Sequence, residues 1–171
     1  MPGAGKSELA DAFRKTTTPV IVMGDIIREE TKNRGLEPNP ENTRKVMLEL
    51  RELSGPGAVA THCLDTLQKI SSDTIIIEGC RSIAEIDVFT EFAEEVITVC
   101  VHSSPKKRYQ RLRDRNRADA PQSWDVFKER DLREISVGLG GVIALSDIVL
   151  INEGTLDELR TASQELAKKL T

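Results

Sequence analysis

The stretch that decides the fold is MPGAGKSELA, residues 1–10. Its GKS tripeptide at 5–7 matches the end of the phosphate-loop pattern G-x-x-x-x-G-K-[ST], and the opening glycine of that pattern would fall one position before Met1. Apolar side chains follow at Leu9, Ala10 and Phe13, at the spacing of one helix face. An ordinary glycine-containing tail is the alternative, but a loop that leads directly into an apolar-periodic helix favours a phosphate site.

The chemistry of each loop residue fits that site. Small residues let backbone N–H groups turn inward around phosphate oxygens, and the following helix adds its positive N-terminal end. Lys6 would reach the β- and γ-phosphates, and Ser7 would ligate Mg²⁺. The predicted phosphate-binding residues are Pro2, Gly3, Ala4, Gly5, Lys6 and Ser7.

The composition favours one globular domain over residues 1–171. A formal net charge of −4 disfavours a protein whose main partner is nucleic acid. The three cysteines are an odd number without metal-ligand spacing, which indicates reduced thiols. No apolar stretch approaches the roughly 18 residues of a membrane span, and no signal pattern opens the chain, so we expect no membrane partner and a cytoplasmic location.

Four nearly continuous apolar runs predict strands, because a strand covered by helices on both faces loses its polar alternation. The runs are PVIVMGD (19–25), TIIIEG (74–79), VITVCVHS (96–103) and DIVLINEG (147–154). Helical patterns separate them, so we predict an α/β protein with a three-layer α/β/α parallel sheet. Because the phosphate loop of such folds follows a central strand, the first strand is expected to be missing from the N-terminus, and an upstream apolar stretch would supply it.

The helical patterns cover residues 7–15, 26–35, 40–53, 58–70, 83–93, 105–117, 123–135 and 156–170. Two stripes at helical spacing are expected in the core, with Val46, Leu50 and Leu53 on one helix and Val59, Cys63, Leu67 and Ile70 on the next. The GPG tripeptide at 55–57 predicts the turn between these two helices.

The segment VMGDIIREE follows the first predicted strand. Asp25 is placed where a helix should begin, so its carboxylate could simply cap that helix. Arg28 lies one turn further on the same side. A functional interpretation therefore puts a carboxylate and a cation at the carboxyl end of the sheet, where open α/β sheets bind ligands.

The segment TIIIEGCRS ends the most apolar run with a carboxylate. Glu78 would be costly there unless it met water, a metal or hydrogen-bond donors, which makes it a candidate Mg²⁺ residue. Gly79 permits a close approach, and Arg81 supplies a planar fork for phosphate. The alternative is that Glu78 caps the 83–93 helix and that Arg81 is a surface residue.

A basic run, PKKRYQRLRDRNRAD, places seven cations between Lys106 and Arg117. Arg108, Arg111 and Arg115 fall on one helical face, and the default interpretation is a solvated surface. Two functional uses compete, a lid whose arginines clamp a phosphoryl group and a patch for nucleic acid. We favour the lid, because one tyrosine is too few for a single-strand binder.

The whole chain resembles the small P-loop kinases grouped around adenylate kinase and dephospho-CoA kinase, and most closely an archaeal family of adenylate-kinase-like proteins. MPGAGKS is similar to the loop G-x-P-G-A/S-G-K, VMGDIIR to S-T-G-D-M-L-R, and EGCR to D-G-F-P-R, although it is one residue shorter with Glu78 for Asp. LSDIVLINEGTLDEL resembles the C-terminal A-D-V-V-I-x-N-x-G-S-L-E-E-L of dephospho-CoA kinases. The resemblance implies a fold of the P-loop kinase type, with an acceptor-binding helical segment at about 26–70 and a lid-like segment at about 106–135.

The resemblance also implies ATP and Mg²⁺ as cofactors and a small nucleotide as acceptor. Arg28 and Arg81 would contact the acceptor phosphate, and the loop around Asn152 and Gly154 would border the adenine. In dephospho-CoA kinases the residue at Asp25 is a base, which an alcohol acceptor needs and a nucleoside monophosphate does not. Because Arg28 and Arg81 together favour a phosphate-bearing acceptor, a nucleoside monophosphate is the favoured acceptor. The residues expected to act in catalysis are Lys6, Asp25, Arg28, Arg81, Arg111 and Arg115.

Two other functions stay open at this point. One is phosphorylation of a hydroxyl group with Asp25 as the base. The other is a nucleotide-binding regulator or RNA-binding protein without turnover, which the basic run and the shortened EGCR segment both allow.

Overall fold

The computed structural model describes residues 1–115 and 120–171. Its elements, in chain order, are α1 (Lys6–Arg14), β1 (Val20–Val22), α2 (Met23–Asn33), α3 (Pro40–Ser54), α4 (Ala58–Leu67), β2 (Ile76–Glu78), α5 (Ile83–Phe92), β3 (Val99–His102), α6 (Pro105–Asp114), α7 (Trp124–Val137), α8 (Leu139–Ala144), β4 (Ile148–Ile151) and α9 (Leu156–Leu170). The chain divides into two compact units: the first comprises Met1–Thr18 and Ile97–Thr171, and the second comprises Pro19–Val96.

The strands are parallel, as predicted, and they pair within the units. In the second unit β1 lies beside β2, with Val20 opposite Ile76. In the first unit β3 lies beside β4, with Val99 opposite Ile148. The four strands thus form two two-stranded sheets rather than the single sheet that we expected. Apolar runs identify strands, but they carry no information about which strand pairs with which.

The helices begin where the sequence offers side chains that accept hydrogen bonds from free N–H groups. Asn39, Ser82, Ser123 and Thr155 cap α3, α5, α7 and α9 respectively. Thr155 also forms a capping box with Glu158, in which each residue accepts from the other's backbone N–H. These caps fix the helix starts close to their predicted positions.

The second unit has an apolar core shared by its helices and its sheet. The two predicted stripes contribute to it, with Val46 and Leu50 buried on α3 and Val59, Cys63 and Leu67 on α4. Leu53 was wrongly placed in this core, because its side chain is 79% exposed near the end of α3. A stripe predicted from periodicity extends only as far as a neighbouring element covers it.

The structure corrects the predicted start of α2. The helix begins at Met23, directly after β1, and its N-cap is Val22. Asp25 therefore lies inside the first turn and is not the N-cap. The short helix α8 was also missed, because its sequence LGGVIA contains two glycines and lacks a helical apolar pattern.

The edge strand β4 departs from the expectation of burial on both faces. Val149 is 47% exposed and Ile151 is 66% exposed, while Ile148 and Leu150 are partly buried. The apolar composition of β4 therefore indicates a propensity for a strand and not its degree of burial.

Within the first unit α9 packs against α1, where Arg160 also pairs with Glu8.

The pair Leu50 and Leu53 gives a direct test of the core. We expect Leu50→Ala to lower the free energy of unfolding by about 2–5 kcal/mol, since it removes a buried side chain. Leu53→Ala on the same helix should change it by less than about 0.5 kcal/mol. Urea denaturation measures both, and equal losses would contradict the described burial.

Candidate functional site

The phosphate loop of the first unit occupies residues 1–5 and leads into α1. Gly3 and Gly5 adopt left-handed backbone conformations, with φ of 76° and 107°. Gly5 is the N-cap of α1, and no side chain caps that helix. The Glu8 N–H donates to the Gly5 carbonyl at 3.0 Å, and the positive end of the helix dipole at this terminus favours an anion.

A side chain at either glycine would force its neighbours to move. A Cβ at Gly5 would lie 2.7 Å from the Asn152 amide nitrogen and 2.7 Å from a Leu159 methyl group. A Cβ at Gly3 would lie 3.0 Å from both the Arg108 carbonyl oxygen and the Leu112 side chain. The loop is thus seated directly on α6, α9 and the end of β4.

Two carbonyl groups of the loop accept hydrogen bonds from side chains. The Asn152 amide donates to the Ala4 carbonyl at 2.8 Å. The Arg108 guanidinium donates to the Pro2 carbonyl at 3.2 Å. Both donors come from segments far from the loop in sequence, so tertiary structure and not local preference holds the loop.

Arg108 belongs to the predicted basic face, but it is buried, with 2% exposure. It donates to the Ser103 carbonyl at 3.0 Å and forms a two-pronged ion pair with Asp131 of α7. Its guanidinium also stacks over the Phe127 ring at 5.0 Å. Arg108 therefore ties the phosphate loop to α7 and is not part of a solvated surface.

The other cations of the run differ from one another. Arg111 is partly buried and donates to Asn152, Ser103 and Gly154. Arg115 is exposed at the C-terminal end of α6. Arg117 belongs to residues 116–119, which lie outside the described residues, as does that part of the lid-like segment. The catalytic roles of Arg111 and Arg115 stay predictions.

In the second unit, Asp25 and Arg28 form an ion pair. Arg28 donates to one Asp25 carboxylate oxygen through Nε, at 3.1 Å, and through Nη2. The side chains are 64% and 49% exposed. Such an exposed pair contributes little stability, so either partner can exchange for a ligand at low cost.

The segment after β2 is organised by Glu85, a residue that the sequence analysis missed. Its buried carboxylate accepts from the Arg81 backbone N–H at 2.7 Å and from the Arg51 guanidinium at 2.7 Å. Ser82, not Glu78, caps α5, so the alternative role for Glu78 was wrong. Nothing in the spacing of Glu85 distinguished it from a surface acid on an amphipathic helix.

The cysteines offer no activated nucleophile. Burial, and secondarily the Glu85 charge, raise the pKa of Cys80 to about 12 and that of Cys63 to about 11. Burial also raises the pKa of Cys100. These thiols stay protonated near neutral pH, which is consistent with a structural role.

The loop suits a nucleotide phosphate because the left-handed Gly3 and Gly5 turn its backbone and no side chain caps α1. Among residues 1–115 and 120–171, no group of three or more His, Cys, Asp and Glu side chains could hold a metal ion by itself. Mg²⁺ usually binds through one or two protein oxygens together with substrate phosphates. Ser7 lies on α1 in the first unit and Glu78 at the end of β2 in the second unit, and their roles as Mg²⁺ residues stay predictions.

Parallel strands, covering helices and a phosphate loop at the start of α1 define a fold of the P-loop kinase type. The AAA domain family model matches residues 1–128, and the chain belongs to that family and to the UPF0200 proteins. It is 44% identical to the UPF0200 protein of Hyperthermus butylicus, covering 100% of this chain and 91% of the relative. It is 43% identical to UPF0200 protein PH1008 of Pyrococcus horikoshii, covering 99% and 94%.

A solved structure supports the same fold. The crystal structure of TT1252 from Thermus thermophilus aligns with a TM-score of 0.68 at 18% identity, covering 99% of this chain and 94% of that one. The family and the fold place the chain among P-loop kinase-like, nucleotide-binding proteins. In the part of the chain that the structure describes, every helix is too short or too polar to cross a bilayer.

Substitutions at Gly5 and Gly35 distinguish the cost of a packing clash from the cost of backbone strain. Both have positive φ, but nothing lies within 4 Å of a Cβ built at Gly35. We expect Gly35→Ala to cost about 1 kcal/mol of unfolding free energy, and Gly5→Ala to cost at least about 2 kcal/mol because it also clashes. Chemical denaturation measures both, and equal costs would refute the close seating of the loop.

The Arg108–Asp131 pair predicts a further stability difference. Arg108→Met should cost about 3–5 kcal/mol, because it leaves a buried carboxylate without its partner. Replacing both residues, as Arg108→Met with Asp131→Leu, should recover part of that loss. The control Lys106→Met, on an exposed position of the same helix, should stay within about 0.5 kcal/mol. A cost below about 1 kcal/mol for Arg108→Met would show that the pair is not buried in solution.

Proposed function

We propose that this protein transfers a phosphoryl group from ATP, with Mg²⁺, to a nucleoside monophosphate. The observation that carries the proposal is the phosphate loop, whose Pro2 and Ala4 carbonyls are bonded to side chains while two left-handed glycines turn the chain. A loop held in this way presents N–H groups to phosphate oxygens. The first unit would therefore hold the phosphate donor.

Lys6 and Ser7 would act on the donor from the first turn of α1, where both are exposed. The Lys6 ammonium would neutralise charge on the transferred group, and the Ser7 hydroxyl would ligate the metal. When bound, Mg²⁺ supplies further charge neutralisation on the phosphates. Glu78 is the candidate metal residue of the second unit.

The second unit would supply the acceptor side. Phosphoryl transfer needs positioning and positive charge more than covalent chemistry, and Arg28 and Arg81 offer guanidinium groups for an acceptor phosphate. Both Arg28 donors that contact Asp25 meet the same carboxylate oxygen. We infer that Asp25 holds Arg28 in place until a phosphate replaces it, which favours an acceptor that brings its own anionic oxygen.

Transfer to a hydroxyl group is the second candidate, and the exposure of Asp25 favours it. A carboxylate that is 64% exposed can reach a substrate alcohol if Arg28 moves away. In that case Asp25 would remove the proton of the attacking hydroxyl as a general base, a role worth roughly 10²–10⁴-fold in rate.

One assay separates these candidates. ATP and Mg²⁺ are supplied with AMP, CMP, UMP or dephospho-CoA, and ADP release is measured. We expect turnover with a monophosphate, a loss of at least about 100-fold in kcat for Lys6→Ala, and an unchanged rate for the control Lys15→Ala at the other end of α1. Asp25→Asn should retain activity to within about tenfold, because an anionic acceptor needs no base.

Three other results of this assay would contradict transfer to a nucleoside monophosphate. Turnover of dephospho-CoA that disappears in Asp25→Asn would assign the hydroxyl reaction instead. If nothing turns over while RNA is retained at moderate salt, the protein is a binding protein and the kinase proposal fails. Full activity of Lys6→Ala would also remove the assignment.

A further inference from the structure

The side chain of Asn152 has a single orientation that satisfies its neighbours. Arg111 can only donate, so the Asn152 side-chain oxygen must face it, at 3.1 Å. The Ala4 carbonyl can only accept, so the amide nitrogen must face that group, at 2.8 Å. The backbone N–H of Asn152 donates to the His102 carbonyl at 2.7 Å. Asn152 is thus held from three directions at 5% exposure.

Arg111 holds the segment that carries Asn152. Its guanidinium also donates to the backbone carbonyls of Asn152 and Gly154, at 3.1 and 3.3 Å, and to the Ser103 hydroxyl at 3.1 Å. These acceptors lie on the segments that follow β3 and β4. Arg111 therefore joins the carboxyl ends of both strands of the first unit to α6.

The bond from Asn152 to Ala4 has a consequence for the phosphate loop. In a trans peptide the C=O of one residue and the N–H of the next point in opposite directions, and the described residues contain no cis peptide. With the Ala4 carbonyl turned to Asn152, the Gly5 N–H points away from it. Arg108 on the Pro2 carbonyl does the same for the Gly3 N–H.

Both N–H groups remain available to a ligand. Within residues 1–115 and 120–171, neither the Gly3 nor the Gly5 N–H donates to a backbone carbonyl. A buried or partly buried N–H without a protein partner normally meets water or a ligand. The side chains that bind the carbonyls therefore decide where these donors point.

We propose that Arg111, acting through Asn152, is a positioning residue that aims the Gly5 N–H of the phosphate loop at the donor phosphates. In this conformation it is not a cation that clamps the phosphoryl group from a lid. The inference rests on the proposed function, because it assumes that the loop binds the donor phosphates. Arg108 orients the Pro2 carbonyl in the same way. Because its ion pair with Asp131 also stabilises the fold, a loss of affinity in an Arg108 variant would have two causes, so the test uses Arg111 and Asn152.

The experiment measures Kd by calorimetry on the full chain for two probes, ATP and inorganic tripolyphosphate, which has phosphates but no base. Asn152→Asp keeps the shape and the contact with Arg111 but cannot donate to Ala4. We expect this variant and Arg111→Ala to weaken both probes to the same extent, by about tenfold or more. Arg14→Ala, an exposed arginine in a surface ion pair at the far end of α1, is the control and should bind normally.

A double variant tests the coupling between the two residues. Because Arg111 acts through Asn152, the two substitutions should not add. The double variant Arg111→Ala with Asn152→Ala should bind ATP and tripolyphosphate as tightly as whichever of the two single variants binds them more weakly. Arg111→Lys retains one charged donor and should lose less affinity than Arg111→Ala. If thermal melting shows that Asn152→Asp does not fold, the comparison of Arg111→Lys with Arg111→Ala tests the inference instead.

Three results would overturn the inference. Loss of affinity for ATP alone would place Asn152 against the base. A fall in kcat with both dissociation constants unchanged would make Arg111 a lid cation, and unchanged binding and kcat would remove any role. If the wild-type protein binds both probes but transfers nothing, the kinase proposal fails while the positioning role stands; if it binds neither probe, both fail.

Discussion

The first unit depends on the hydrogen bonds that hold the Pro2 and Ala4 carbonyls. Glycines at positions 3 and 5 allow the tight backbone path, but glycine also brings the largest loss of conformational entropy on folding. A glycine-rich loop without anchors would sample many shapes and present its N–H groups only part of the time. Arg108 and Asn152 restrict that freedom, because each bonds a carbonyl while being itself held by other partners. Preorganised donors need no rearrangement when a phosphate arrives, which is how such sites achieve electrostatic stabilisation.

The arginines of α6 show how one charge run can hold residues with different tasks. Arg108 is buried and has an ion pair, a carbonyl partner and an aromatic face, so its desolvation cost is offset in several ways. Arg111 is half-buried and donates to uncharged oxygen atoms of Ser103, Asn152 and Gly154, while Arg115 is exposed. Arginine suits the first two positions, because its planar fork donates in several directions and keeps its charge when buried.

Much of the fold was predictable because hydrophobic periodicity and capping residues act locally. The four strands lie inside the predicted runs, and Ser82 and Thr155 begin their helices as acceptors of free N–H groups. The errors fall where a distant element decides the outcome. Leu53 continues a stripe that no neighbour covers, and Glu85 is an acid on a helix until its burial against Arg51 makes it an anchor. Such partners lie 34 residues apart in the chain, beyond the reach of any local pattern.

The sequence by itself determined the α/β class, the phosphate loop before α1 and the candidate pair Asp25 and Arg28, because these depend on residue type and short spacing. Tertiary structure alone decided that Arg111 meets Asn152 and that Asn152 meets Ala4, a contact across 148 residues. The physical reason is directional. A hydrogen bond requires a donor and an acceptor at about 3 Å with suitable angles, and only the packed chain brings such groups together.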